Sequence, residues 1–240
     1  MKILLLILFL TTTILSAQKK GETDEKKSKK TYSEIIDDSF KTDNGLFKVH
    51  QKDQIFYYEI PRELLDQEML MVTRIAKTSN GIGYGGQKIN SQVLRWQLKK
   101  DMILLRIVSY ENIANDSLPI YESVRNSNFE PILSSFEIKT VNPEDSSIVI
   151  DVTSLFSTDI KALGFPQYRR KSLKITSLDK KRSFIESIKS FPINIEVRNV
   201  LTYISSEPPS QRNSQTISLE INNSMLLLPR EKMKPRFLDR

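Results

Sequence analysis

The chain has 240 residues, of which 39% are hydrophobic and 27% charged, with a formal net charge of +7, the balance of a soluble globular protein. It has no cysteine and one histidine, which excludes disulfides and thiol nucleophiles. It also leaves a single nitrogen ligand for zinc, an ion that favours nitrogen and sulfur and takes about three protein ligands in a hydrolytic site. No basic motif interleaved with aromatics offers bases a stacking surface, so nucleic acid is not expected as a partner.

The N-terminus reads as a secretory leader. Met1-Lys2 precedes an uncharged stretch from Ile3 to Ala17, and charge returns abruptly at Lys19. That stretch is shorter than the ~20 residues that cross a bilayer, so a signal peptide over 1–17 is expected rather than a transmembrane anchor. The product would be exported to the periplasm or beyond. Residues 18–34 are rich in lysine with few apolar groups, and a disordered, charged linker is expected because little surface there can offset ordering entropy.

From Leu46 the pattern is that of strands. Leu46 to His50 and Gln54 to Ile60 flank a polar turn, and Pro61 opens a short helical turn through Leu65. Met69 to Ile75 forms the next strand and ends in a loop with glycines at 81, 83, 85 and 86. Val93 to Leu98 and Met102 to Val108 form a second hairpin that carries the only tryptophan, Trp96. A helix is predicted over 118–126, strands over 132–141 and 147–152, and a short helix after Asp151. Long strands follow over 183–191, 193–204 and 216–228. In the second of these, Asn194, Glu196, Arg198 and Asn199 are placed on a wet face, opposite Ile195, Val197 and Val200.

The expected fold is therefore mainly β, all-β or α+β, with long antiparallel strands in a sheet or barrel-like arrangement and two or three short helices. A small N-terminal unit over 35–80 and a β-rich domain over 81–240 are the expected divisions.

Several strings, taken in order, resemble the N-terminal region of a family of bacterial secreted zinc-dependent metalloproteases. They are Gly45-Leu46-Phe47-Lys48-Val49-His50, Tyr57-Tyr58-Glu59-Ile60-Pro61, Met71 through Thr78, Ser183 through Ser187, Leu201-Thr202-Tyr203, and Leu228-Pro229-Arg230 with Met233 through Arg240. In that family two domains of unknown function precede a zincin domain bearing a His-Glu-x-x-His helix. The resemblance implies that these residues form a non-catalytic accessory region, that the partner is a catalytic domain of the same polypeptide, and that zinc belongs to that domain. No catalytic or metal residue carries over to this sequence, and the stop at Arg240 reads as a truncation.

Other motifs yield bland readings. His50 closes a strand and is expected to be an edge residue. Asp37-Asp38 and Glu144-Asp145 sit among polar residues as solvated turn or helix-end groups. The glycine loop lacks a P-loop lysine and precedes a strand, so a mobile connection is favoured over a phosphate cradle. Tyr84 and Trp96 are the candidate ligand-contacting residues, as stacking surfaces for a glycan or peptide in a free-standing envelope module. Core packing is the alternative for Trp96.

Overall fold

The computed structural model describes residues 30–210 and 214–231. The expected leader and the tail through Lys29 lie outside them. Twelve antiparallel strands form one sheet among the described residues, as the mainly β expectation requires. They are β1 (Lys41–Asp43), β2 (Lys48–Lys52), β3 (Ile55–Ile60), β4 (Glu68–Thr78), β5 (Lys88–Lys99), β6 (Met102–Val108), β7 (Ile132–Val141), β8 (Ile148–Asp151), β9 (Ile175–Leu178), β10 (Phe184–Ser190), β11 (Asn194–Ser205) and β12 (Thr216–Leu227). Four short helices accompany them: α1 (Tyr32–Ile35), α2 (Tyr121–Ser127), α3 (Thr153–Ser157) and α4 (Gln167–Ser172). α1 falls within the stretch expected to be disordered. It forms because the Thr31 amide and hydroxyl both donate to Glu34, closing its first turn.

The strand order is β1-β2-β3-β8-β7-β6-β5-β4-β12-β11-β10, with β9 beside β11. Residues 35–80 and 81–240 are thereby interleaved. β3 pairs with β8, and β4 is hydrogen-bonded by β5 on one side and β12 on the other.

The sheet rolls but does not close into a barrel. Its β1–β2 end and its β10 edge meet at one point, where the Leu46 amide donates to the Phe191 carbonyl at 2.7 Å. The Ser190 amide donates to Asp43 Oδ2 at 2.9 Å, and the Ser190 hydroxyl to the Phe47 carbonyl at 2.7 Å. Gly45 permits this approach, because a Cβ there would lie 2.5 Å from Ser190 Oγ and 2.7 Å from the Phe191 nitrogen.

Alternation along the strands fills the roll. Met69, Met71, Leu94, Trp96, Val197 and Met225 point into the larger apolar cluster, and Ile75, Leu201, Tyr203, Ile217 and Ile221 into a smaller one. A polar row separates the two. Thr73 donates to Asn223 Oδ1 at 2.8 Å, Asn223 to Asn199 Oδ1 at 2.9 Å, and Asn199 to the Phe156 carbonyl at 2.7 Å. Asn199 is thus buried, not on the wet face. Strand parity puts 195, 197, 199 and 201 on the same side, and hydrogen bonding on every step of the row offsets the desolvation of the amides.

Candidate functional site

The cross-strand pair Lys48 and Glu59 places a carboxylate on the outer face of β2 and β3, where α1 and the β7–β8 turn cover it. Glu59 is fully buried. Its Oε1 accepts from Lys48 Nζ at 2.7 Å, Asn142 Nδ2 at 2.8 Å and Ser147 Oγ at 2.6 Å. Its Oε2 accepts from the Tyr32 hydroxyl at 2.7 Å and stands 2.9 Å from His50 Nε2. Burial opposes ionisation here, but the hydrogen bonds from His50, Lys48, Ser147 and Asn142 outweigh it and hold the carboxyl well below the usual range. Burial and the Glu59 charge push the Tyr32 phenol up.

His50, expected at a strand edge, is itself buried. Its Nδ1 lies 2.8 Å from Thr42 Oγ1. An ionised carboxylate only accepts, so Nε2 must carry the proton, and in the neutral ring Nδ1 accepts from the Thr42 hydroxyl. The series Thr42, His50, Glu59 has the spacing of a hydroxyl–imidazole–carboxylate relay. However, Thr42 and His50 are simply opposed residues of the β1–β2 ladder, and four other donors already share the Glu59 charge. The arrangement fastens the N-terminal helix and hairpin to the sheet.

Beside it, the unpaired part of the seam between β1 and β10 leaves a cleft of about 380 Å³, lined by Lys41, Asp43, Val49, Gln51, Ser187 and Lys189. Among the described residues no group of three or more His, Asp or Glu side chains is placed to hold a metal ion. The acidic pairs act in turns. Asp37 accepts from the Ser39 amide at 2.8 Å, and Asp145 from the Ser147 amide at 2.9 Å while pairing with Lys48.

The two candidate stacking residues are not brought together. Tyr84 is 68% exposed at the glycine loop, beyond the opposite end of β5 from Trp96. Trp96 is fully buried among Phe47, Tyr58 and Phe136. Its ring has no solvent face, so core packing is its role. The glycine loop is anchored: Ile82 is buried in the smaller cluster, Arg169 donates to the Ile82 carbonyl, and the Gly86 amide donates to the Ile75 carbonyl at 2.7 Å.

Sequence reasoning missed Glu59 as the centre of the network. Its only signal was a lone acidic residue inside the apolar run Ile55 to Ile60, since an uncompensated charge there would be costly.

A rolled antiparallel sheet with a split core and a buried polar fastening defines a β-rich domain. The chain belongs to the family described as "Domain of unknown function (DUF5117)", whose family model matches residues 86–240. A second model, "Domain of unknown function (DUF5118)", matches residues 29–78. The two matched stretches supply the interleaved strands, so each contributes to a single sheet. No match was found among curated proteins, and none among solved structures.

Proposed function

We propose that this chain is the non-catalytic N-terminal accessory region of an exported zinc-dependent metalloprotease, whose zinc and hydrolytic residues lie in a zincin domain of the same polypeptide. One observation carries the reading beyond the resemblance of the strings. The connection between β6 and β7 presents Ile113, Leu118, Ile120 and Phe129 to solvent at 50 to 75% exposure, and α2 within it buries no residue. A run of large apolar side chains of this kind marks an interaction face.

Its position suits a partner on the same polypeptide. Tyr110, at the start of this connection, donates to Glu68, and the Glu68 carbonyl accepts from the Leu228 amide just past β12. Chain leaving β12 thus passes Glu68, the residue that also holds the start of this connection.

The experiment is to isolate the exported protein from its source cells with antibodies against residues 30–231. A polypeptide longer than 240 residues that carries zinc and cleaves peptides in a chelator-sensitive way is expected. A product that ends at Arg240, with neither zinc nor an associated peptidase, overturns the proposal. The alternative, a free-standing envelope module for glycan or peptide, loses one of its two stacking surfaces with the burial of Trp96.

A further inference from the structure

Formal charge is unevenly distributed over the fold. The described residues as a whole are neutral, yet the segment 159–182 holds eight lysines and arginines against two aspartates. This segment runs from the end of α3 through α4 and β9, and it encloses an open basin of about 710 Å³ whose lining includes Lys161, Gln167, Arg170, Lys171, Lys174 and Thr176.

The floor of the basin is rigid. Arg170 is 8% exposed and grips Asp159 with both guanidinium nitrogens, at 2.9 and 2.5 Å. Its guanidinium carbon lies 5.4 Å from the centre of the Tyr203 ring. The rim is tied to β11: the Ser205 hydroxyl donates to the Leu173 carbonyl at 2.8 Å, and the Ser206 amide to the Lys174 carbonyl at 3.1 Å. Lys174 adopts a left-handed backbone with φ 49°, a conformation a lysine holds only where its surroundings fix it.

The Arg170 charge is already matched by Asp159, whereas Lys161, Lys171 and Lys174 have no ion pair among the described residues. Three ammonium groups around one concavity with a structured floor attract counter-charge, because a shared concave wall adds their fields. Ammonium groups are compact point charges that impose no planar geometry, so they suit clustered tetrahedral oxyanions more than a single flat carboxylate.

We propose that this basin is a binding site for a ligand bearing two or more closely spaced phosphate groups. The site is independent of the accessory role and of the apolar face between β6 and β7, and lies on the far strands of the sheet, against β11.

Calorimetric titration of the full chain with inorganic tripolyphosphate at low ionic strength tests it. One-to-one binding that weakens as salt rises is expected. The triple variant Lys161→Gln, Lys171→Gln, Lys174→Gln should bind about tenfold or more weakly, while melting like the wild type. The control variant Lys180→Gln with Lys181→Gln, which alters nearby charge outside the basin, should bind like the wild type. Absence of binding, or equal weakening in the control, overturns the site. Sedimentation with vesicles containing cardiolipin, a lipid whose headgroup carries two phosphates, then separates the sources. Co-sedimentation lost in the triple variant assigns a lipid headgroup, and tripolyphosphate binding without co-sedimentation assigns a soluble or polymeric phosphate.

Discussion

His50 Nε2 stands 2.9 Å from Glu59 Oε2, and both side chains are buried. The contact is one of five that converge on the same carboxylate, so the free energy of this corner depends on Glu59 staying ionised. Its folded pKa is depressed, against an unfolded value of about 4.3. The stabilisation is therefore fully present above the unfolded value and is lost as pH falls below it. Urea unfolding across pH 6 to 3 should show stability declining below about pH 4.5, and Glu59→Gln should flatten that decline. An unchanged slope in the variant contradicts this account.

Glu59→Ala goes further, because it strands Lys48, His50, Asn142 and Ser147 around an empty position. A cost of about 3–5 kcal/mol is expected for breaking a buried charge network by removing one partner. Differential scanning calorimetry measures it. A loss near that of an exposed surface substitution shows that the network does not hold the hairpin.

Gly45→Ala tests the seam. The new Cβ meets the Ser190 carbonyl carbon at 2.6 Å and the Phe191 nitrogen at 2.7 Å, and backbone cannot swing aside as a side-chain tip can. A loss of about 1–3 kcal/mol is expected. Faster hydrogen exchange at the Leu46 amide, which donates across the seam, locates the damage. Unchanged exchange there shows that the two edges do not depend on this contact.

Trp96, the only tryptophan, reports on the core without labelling. Its emission should be blue-shifted and resistant to iodide in the folded state, then red-shift with global unfolding. Trp96→Ala should cost about 3–5 kcal/mol. Strong iodide quenching of the native protein contradicts its burial.

Ile113 and Ile120 stand at 73% and 58% exposure. The chain by itself should self-associate through this uncovered face in analytical ultracentrifugation, and Ile113→Ser with Ile120→Ser should reduce that association while leaving stability within about 0.5 kcal/mol. If the pair instead destabilises the fold by several kcal/mol, these residues are packed and the face is not free to dock.

Much of the architecture was legible along the chain. Period-two alternation marks β5, and the polar turns at Gln51-Lys52-Asp53 and Lys99-Lys100-Asp101 mark two hairpins. The misreadings have identifiable causes. α1 is a single turn whose order comes from Thr31, Glu34 and the Tyr32 contact to Glu59, and so eludes composition. Asn199 reads as a wet-face residue because its partners Asn223 and Phe156 are distant in the chain.

The sequence by itself determined which segments extend and which side chains seek the interior, because backbone geometry and hydrophobic burial act on neighbouring residues. It also determined that no thiol chemistry is available. Only the tertiary structure decided that β4 lies between β5 and β12, and that Glu59 meets Asn142 and Ser147, 83 and 88 positions away. Every strand edge offers the same amides and carbonyls. The choice of partner therefore rests on how whole faces pack and where buried polar groups find each other, which no short stretch of sequence contains.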